Sequence, residues 1–201
     1  YAEPTANILN YTSPGYKAFP VEYDLHEAKR LAHEVLGNKR CEITYCINGN
    51  EPLQKGEAEL IAYWLQDIGL DVKIQAIEYA TLSKMMRKGD FNIVRIQKGL
   101  ANGDPFSALY TFIMPDGALN VSNSSGYNNP EVTELMNKVK HITDEAERQR
   151  VFDRVQEIVV YEQPVIPLFN DMNIVAYNKR LKNYKPLIYG VDLSKVELVE
   201  D

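Results

Sequence analysis

The sequence predicts an α/β fold, one central mixed sheet with helices on its faces. Two observations predict it. From residue 24 to residue 97 helical and strand periodicities alternate, helix, strand, helix, strand, helix, strand, the pattern of a layered protein with a partly parallel sheet. Two further helical patterns follow Asn129. The composition agrees: 201 residues, 45% apolar and 25% charged, suffice for a sizeable core without disulfides or metals. Collagen, coiled coil and a wholly disordered chain are excluded, and no apolar stretch approaches the roughly 20 residues that span a bilayer.

Residues 1–23 read as irregular, punctuated by Pro4, Pro14, Gly15 and Pro20. Asp24 with Glu27 forms a capping box opening a helix that carries Leu25, Ala28, Leu31, Ala32, Val35 and Leu36 on one stripe and ends at Gly37-Asn38. Residues 42–47 read as a strand. A second helix, Pro52 to Ile68, places Leu53, Ala58, Ile61, Ala62, Leu65 and Ile68 on its core stripe, with Ile61 and Leu65 buried and Gly69 as a left-handed cap. Strand 72–77 turns Val72, Ile74 and Ala76 inward. A short helix from Thr81 to Lys88 stops at Gly89, and residues 91–97 form another strand. Residues 98–104 leave that strand as a loop, after which Asp104 caps and Pro105 begins a helix to about Phe112. Residues 115–129 read as a long polar loop. Asn129-Pro130 opens a helix with Val132, Leu135, Met136 and Val139, and Thr143 or Asp144 opens the next, which Pro164 ends. Residues 165–169 and 174–177 read as strands, and 196–199 as an edge strand closing a Tyr-rich tail.

Chemistry is sparse. The net charge is −6 with signs interspersed and no basic stripe, which argues against nucleic acid and an anionic membrane surface. Cys41 and Cys46 are five apart in one strand, on opposite faces, and so read as two free thiols. His26, His33 and His141 lack zinc-ligand spacing and read as solvent-facing or helix-end residues. No nucleophile elbow, phosphate loop, dinucleotide fingerprint or His-Glu-x-x-His motif occurs. Glu57, Glu59, Asp144, Glu145 and Glu147 read as solvated faces and caps. Asp104 reads either as a helix cap or as a ligand group in a loop beyond a strand end, where the ligands of open α/β sheets collect. The opening Tyr1-Ala2-Glu3-Pro4 lacks the basic and apolar regions of a signal peptide; either none was carried or it lies outside this sequence.

Four stretches carry a family likeness: the helix opening Tyr23 to Leu31, the segment Leu65-Gln66-Asp67-Ile68-Gly69-Leu70-Asp71-Val72, the loop Asn102-Gly103-Asp104-Pro105, and Gly126-Tyr127-Asn128-Asn129-Pro130-Glu131-Val132. Residues 144–150 and Pro164-Val165-Ile166-Pro167-Leu168 keep further landmarks in order. In this combination the chain resembles the C-terminal lobe of the peptide, dipeptide and nickel class (family 5) of extracellular solute-binding proteins of ABC transporters. The resemblance implies a type II periplasmic-binding-protein-like lobe over residues 24–184, preceded by a lead-in (1–23) from a missing N-terminal part and followed by a tail (185–201) returning toward the other lobe. It also implies a monomeric binding protein, periplasmic or lipid-anchored outside the cytoplasmic membrane. Such a protein captures a peptide or similar small solute between two lobes and delivers it to a membrane permease, without catalysis, cofactor or metal. The alternatives are a nickel or metal-chelate binder of the same fold and, from another class, an α/β hydrolase using Asp104 as base.

On this reading the ligand-binding residues are Lys98, Ala101, Asn102, Gly103, Asp104 and Tyr127. The family's acidic partner for a peptide α-amino group falls at Ala101, and its Trp at Lys98. These departures argue against recognition of a free peptide N-terminus, since a buried ammonium needs a carboxylate, and make Lys98 a candidate partner for an anion. The family's nickel-binding histidine has no counterpart either, as no His occurs between residues 34 and 140.

Overall fold

A computed structural model describes residues 2–99, 104–172, 174–187 and 192–199. In chain order the elements are β1 (Ala2–Pro4), α1 (Leu25–Leu36), β2 (Cys41–Asn48), α2 (Pro52–Gln66), β3 (Leu70–Ile77), α3 (Tyr79–Lys88), β4 (Ile93–Val94), α4 (Pro105–Ile113), α5 (Ala118–Ser122), α6 (Pro130–Val139), α7 (Glu145–Glu162), β5 (Phe169–Asp171), β6 (Leu181–Lys182) and β7 (Glu197–Leu198).

The central sheet has the order β3-β2-β4, with both neighbours parallel to β2. The fold class is as expected, but antiparallel pairing lies outside this sheet, in the separate pairs β1–β5 and β6–β7. The twofold alternation of β2 sorts its side chains between two helices. Tyr45 and Ile47 pack with Ala58 and Ile61 of α2, together with Val72, Ile74 and Ile93. Cys46, one residue out of phase, packs with Leu82 and Met86 of α3 on the other face. Both cysteines are free.

The second core is helical. The hairpin α6–α7 and helix α4 enclose Leu109, Ile113, Val132, Met136, Val139 and Val155. Leu9, from the irregular N-terminal segment, is fully buried among them. That segment is held by a buried amide pair. Asn7 Nδ2 donates to Gln156 Oε1 at 2.7 Å and to Lys17 O at 2.9 Å, while Gln156 Nε2 donates to Gly15 O at 2.9 Å. Two side-chain amides thus supply the partners that buried irregular backbone requires.

Several expectations are corrected. Leu53 is 82% exposed, and α2 rests on the sheet through Gln54, Ala58 and Ala62, with Ile61 and Leu65 only half-buried. At about 100° per residue, Leu53 stands roughly 140° around the helix from Ala58, so it was never on the stripe. No residue of α1 is buried, and Leu31 and Val35 are exposed. Ala76 is exposed, and its neighbour Ile77 packs against the α3 cluster instead. The strand expected over 91–97 is confined to Ile93–Val94, because the chain leaves the edge of the sheet after Arg95 N bonds Cys46 O. The loop at 115–129 contains α5. The strand expected over 165–169 begins only at Phe169, where β1 supplies a partner, and residues 174–177 join no strand ladder among the described residues. The edge strand expected over 196–199 is confined to β7, which β6 pairs.

Candidate ligand site at the strand ends

The connection from β2 through α2 leads to β3 on one side of β2, and the return through α3 leads to β4 on the other. The crevice between the carboxyl ends of β2 and β4 is therefore a topological switch point, where open parallel sheets bind ligands. A cavity of about 200 Å³ occupies it. Leu82, Met86 and Ile96 give it an apolar interior, and Asn48, Glu51, Gln54, Tyr79, Arg95, Gln97 and Lys98 carry polar groups on its lining.

Local sequence builds this rim. Asn48 ends β2, its N–H donating to Gln54 Oε1 at 3.1 Å and its Oδ1 accepting from Asn50 N at 3.1 Å. Gly49 N donates to Ile77 O, closing the turn toward α2. Beyond β4, Arg95 turns its side chain to Glu57, with Nε to Oε2 at 2.7 Å and only 12% and 22% of the two side chains exposed. The guanidinium also donates to Ile96 O and lies 5.4 Å from the centroid of the Phe169 ring. Gln97 Nε2 donates to Asp171 Oδ2 at 2.6 Å. Burial pushes the Tyr45 hydroxyl upward, and the nearby Arg95 charge opposes that rise.

The residues predicted from sequence separate. Lys98 lines the cavity, is exposed, and meets no carboxylate among the described residues. Ala101, Asn102 and Gly103 lie outside the described residues. Asp104 caps α4, accepting from Phe106 N at 3.2 Å and Ser107 N at 3.0 Å, which is the cap reading of this residue. Tyr127 lies elsewhere. Its hydroxyl donates to Glu162 Oε2 at 2.5 Å, and burial, then that hydrogen bond, raises its phenol. The loop before it touches the end of α3 remote from the strand ends, where a Cβ on Gly89 would stand 3.6 Å from Ser124 Cβ. Sequence reasoning missed Arg95, Gln97 and Glu57. Glu57, expected on a solvated face, is corrected to a half-buried partner of Arg95. The only local signal was an arginine following two strand residues.

A larger, open hollow of about 280 Å³ lies at the amino ends of β2 and β3, between the ends of α1 and α2, with Lys29, His33, Lys39 and Asp67 on its lining. The strand-end cavity is the better candidate on topology.

Residues 1–120 match the family described as bacterial extracellular solute-binding proteins, family 5 Middle. Among curated proteins the chain is 26% identical over 171 residues to the probable D,D-dipeptide-binding periplasmic protein DdpA of Escherichia coli, covering 85% of this chain and 33% of that protein. It is 24% identical over 202 residues to the peptide transport periplasmic protein SapA of Haemophilus influenzae, covering 97% of this chain and 36% of that protein. The chain thus spans about a third of the length of these relatives. Among solved structures it matches the ABC transporter-associated periplasmic binding protein DppA of Helicobacter pylori, in complex with the peptide STSA. The TM-score is 0.82 and the identity 29%, with 98% of this chain and 39% of that one covered.

Proposed function

Because this chain belongs to the bacterial extracellular solute-binding proteins of family 5, we propose that it forms one wall of a peptide-binding cleft in the ligand-capturing component of an ABC importer. The observation that carries the reading is the strand-end cavity at the switch point, with an apolar interior and, beside the Glu57-paired Arg95, the Lys98 ammonium on its lining. An apolar side chain of the ligand enters between Leu82 and Met86, and Lys98 takes a carboxylate. Such a charge-assisted hydrogen bond contributes about 1.5–3 kcal/mol, or roughly ten- to a hundred-fold in affinity. The relatives named for peptide or dipeptide binding support a peptide-like solute.

The opposite wall belongs to a second lobe of the same protein, whose closure excludes water. The protein works as a monomer outside the cytoplasmic membrane, in the periplasm or held by a lipid, and hands its ligand to a permease. No described helix is long and apolar enough to cross a membrane. The family and its relatives are solute-binding proteins, and the strand-end groups are suited to binding rather than bond-making. A nickel-binding protein of Staphylococcus aureus shares the fold at 22% identity, a likeness that carries the fold and not the ligand.

The test is calorimetry on the whole protein with peptides of equal length and different charge. Lys98→Met is expected to weaken an anionic or zwitterionic peptide at least several-fold and to reduce the salt dependence of binding. Unchanged affinity removes Lys98 from the site, and preference for a cationic solute reverses the charge argument.

A further inference from the structure

Segment 95–97 and strand β5 meet at two points. Arg95 lies against Phe169, and Gln97 against Asp171. Both contacts join residues 74 positions apart, so the two stretches run side by side in the same direction. In each stretch the contacting residues are i and i+2, which extended chain places on one face. Strand β5 has its own support, since its three residues pair in register with β1, and Thr5 N donates to Leu168 O at 3.3 Å.

Arg95 and Gln97 are long side chains on a segment that has left the sheet, and nothing in the β4 ladder fixes where their polar ends point. Glu57 holds Arg95 from the α2 side at 2.7 Å. The ring of Phe169 lies within cation–π range of the guanidinium. For Gln97 the Asp171 carboxylate is the side-chain partner, at 2.6 Å.

We propose that Phe169 and Asp171 are positioning residues for the strand-end cleft: the ring fixes the Arg95 guanidinium and the carboxylate fixes the Gln97 amide, so β5 sets the polar wall that a ligand meets. This deepens the function proposed above and rests on it for the ligand, though not for the positioning. The amide of Gln97 donates to Asp171, which leaves its oxygen turned away from that carboxylate and available to a ligand donor.

Nuclear magnetic resonance of the ligand-free protein tests the positioning directly. Asp171→Ala is expected to move the Gln97 side-chain amide signals toward those of a free glutamine and to speed their exchange with water. Asp171→Asn, which keeps an acceptor oxygen, restores part of the difference. Phe169→Leu is expected to speed exchange at Arg95 Nε–H while the Glu57 pair persists. Gln97 signals that do not respond to Asp171→Ala overturn the proposal. Asp171 is exposed, so both of its variants leave the core intact.

In the binding arm, tetra-alanine is titrated into the whole protein. Asp171→Ala is expected to weaken binding about three- to tenfold, and to have no further effect when Gln97 is already alanine. Independent, multiplying effects of the two substitutions show a merely structural role for Asp171 and overturn the proposal. If tetra-alanine fails to bind the unsubstituted protein, the peptide reading fails for this probe, and the amide signals alone decide the positioning.

Discussion

Gly117→Ala and Gly56→Ala make the same chemical change and are expected to shift stability in opposite directions. At Gly117, which begins α5, a Cβ would collide with Tyr110 O and stand 2.7 Å from Thr111 O and 2.9 Å from Met114 O. All three neighbours are backbone carbonyls at the end of α4, so no side chain can rotate away. The φ of Gly117 is −63°, acceptable to alanine, so any cost is steric rather than torsional. Relieving it moves α5 off α4 and pulls on Asn120, whose Nδ2 donates to Met114 O at 2.9 Å and Tyr127 O at 2.8 Å. Overpacking of this kind costs about 1–3 kcal/mol. Gly56 lies inside α2 with nothing within 4 Å of its would-be Cβ, and there alanine is expected to stabilise by about 0.5–1 kcal/mol. Urea titration followed by circular dichroism reads both changes, and thermal unfolding is expected to shift by about 2–4 °C per kcal/mol in a chain of this size. A Gly117→Ala protein as stable as its parent, measured beside a stabilised Gly56→Ala, would refute the close approach of α5 to α4.

Leu109→Ala, at a fully buried position, is expected to cost about 2–5 kcal/mol, whereas exposed Leu53→Ala falls within about 0.5 kcal/mol of the parent; urea midpoints distinguish them. Gln156→Ala breaks the amide pair that anchors the N-terminal segment and is expected to cost about 2–4 kcal/mol. It should also speed amide exchange at Leu9, and slow exchange there would contradict the anchoring. Hydrogen bonds from Tyr127 and then Asn129 hold the Glu162 carboxyl below its ordinary 4.5. Its contribution to stability is therefore complete above that pH and is lost as pH falls through the lower folded-state value. Tyr127→Phe is expected to flatten this acid-side loss, seen by comparing unfolding at pH 6 and pH 3.

Legibility followed the range of the interactions. Asp24, Asp104, Asn129 and Asp144 were readable as caps because each hydroxyl-free side chain bonds amides two or three residues ahead. Helix α2 followed from its apolar stripe and the glycine that ends it, and α3 from the glycine that stops it. What escaped depends on distant partners. Glu57 looks like any helix-surface carboxylate until Arg95 arrives 38 residues later. The amphipathic pattern of α1 suggested a core position that the structure does not provide, since periodicity records a capacity for burial and not the presence of a covering surface. Helix α5 spans only five residues, too few for a period to emerge from a polar stretch.

The Asn7–Gln156 pair joins positions 149 apart. During synthesis at about 5–20 residues per second, the segment carrying Leu9 therefore waits roughly 7–30 s before α7 exists to receive it. Before that interval ends β2, β3, β4, α2 and α3 are complete and able to assemble, while the helical core lacks its longest helix. The order of manufacture thus separates the two cores in time: the parallel sheet is ready early, and the body that binds the N-terminal segment closes only once α7 has been made.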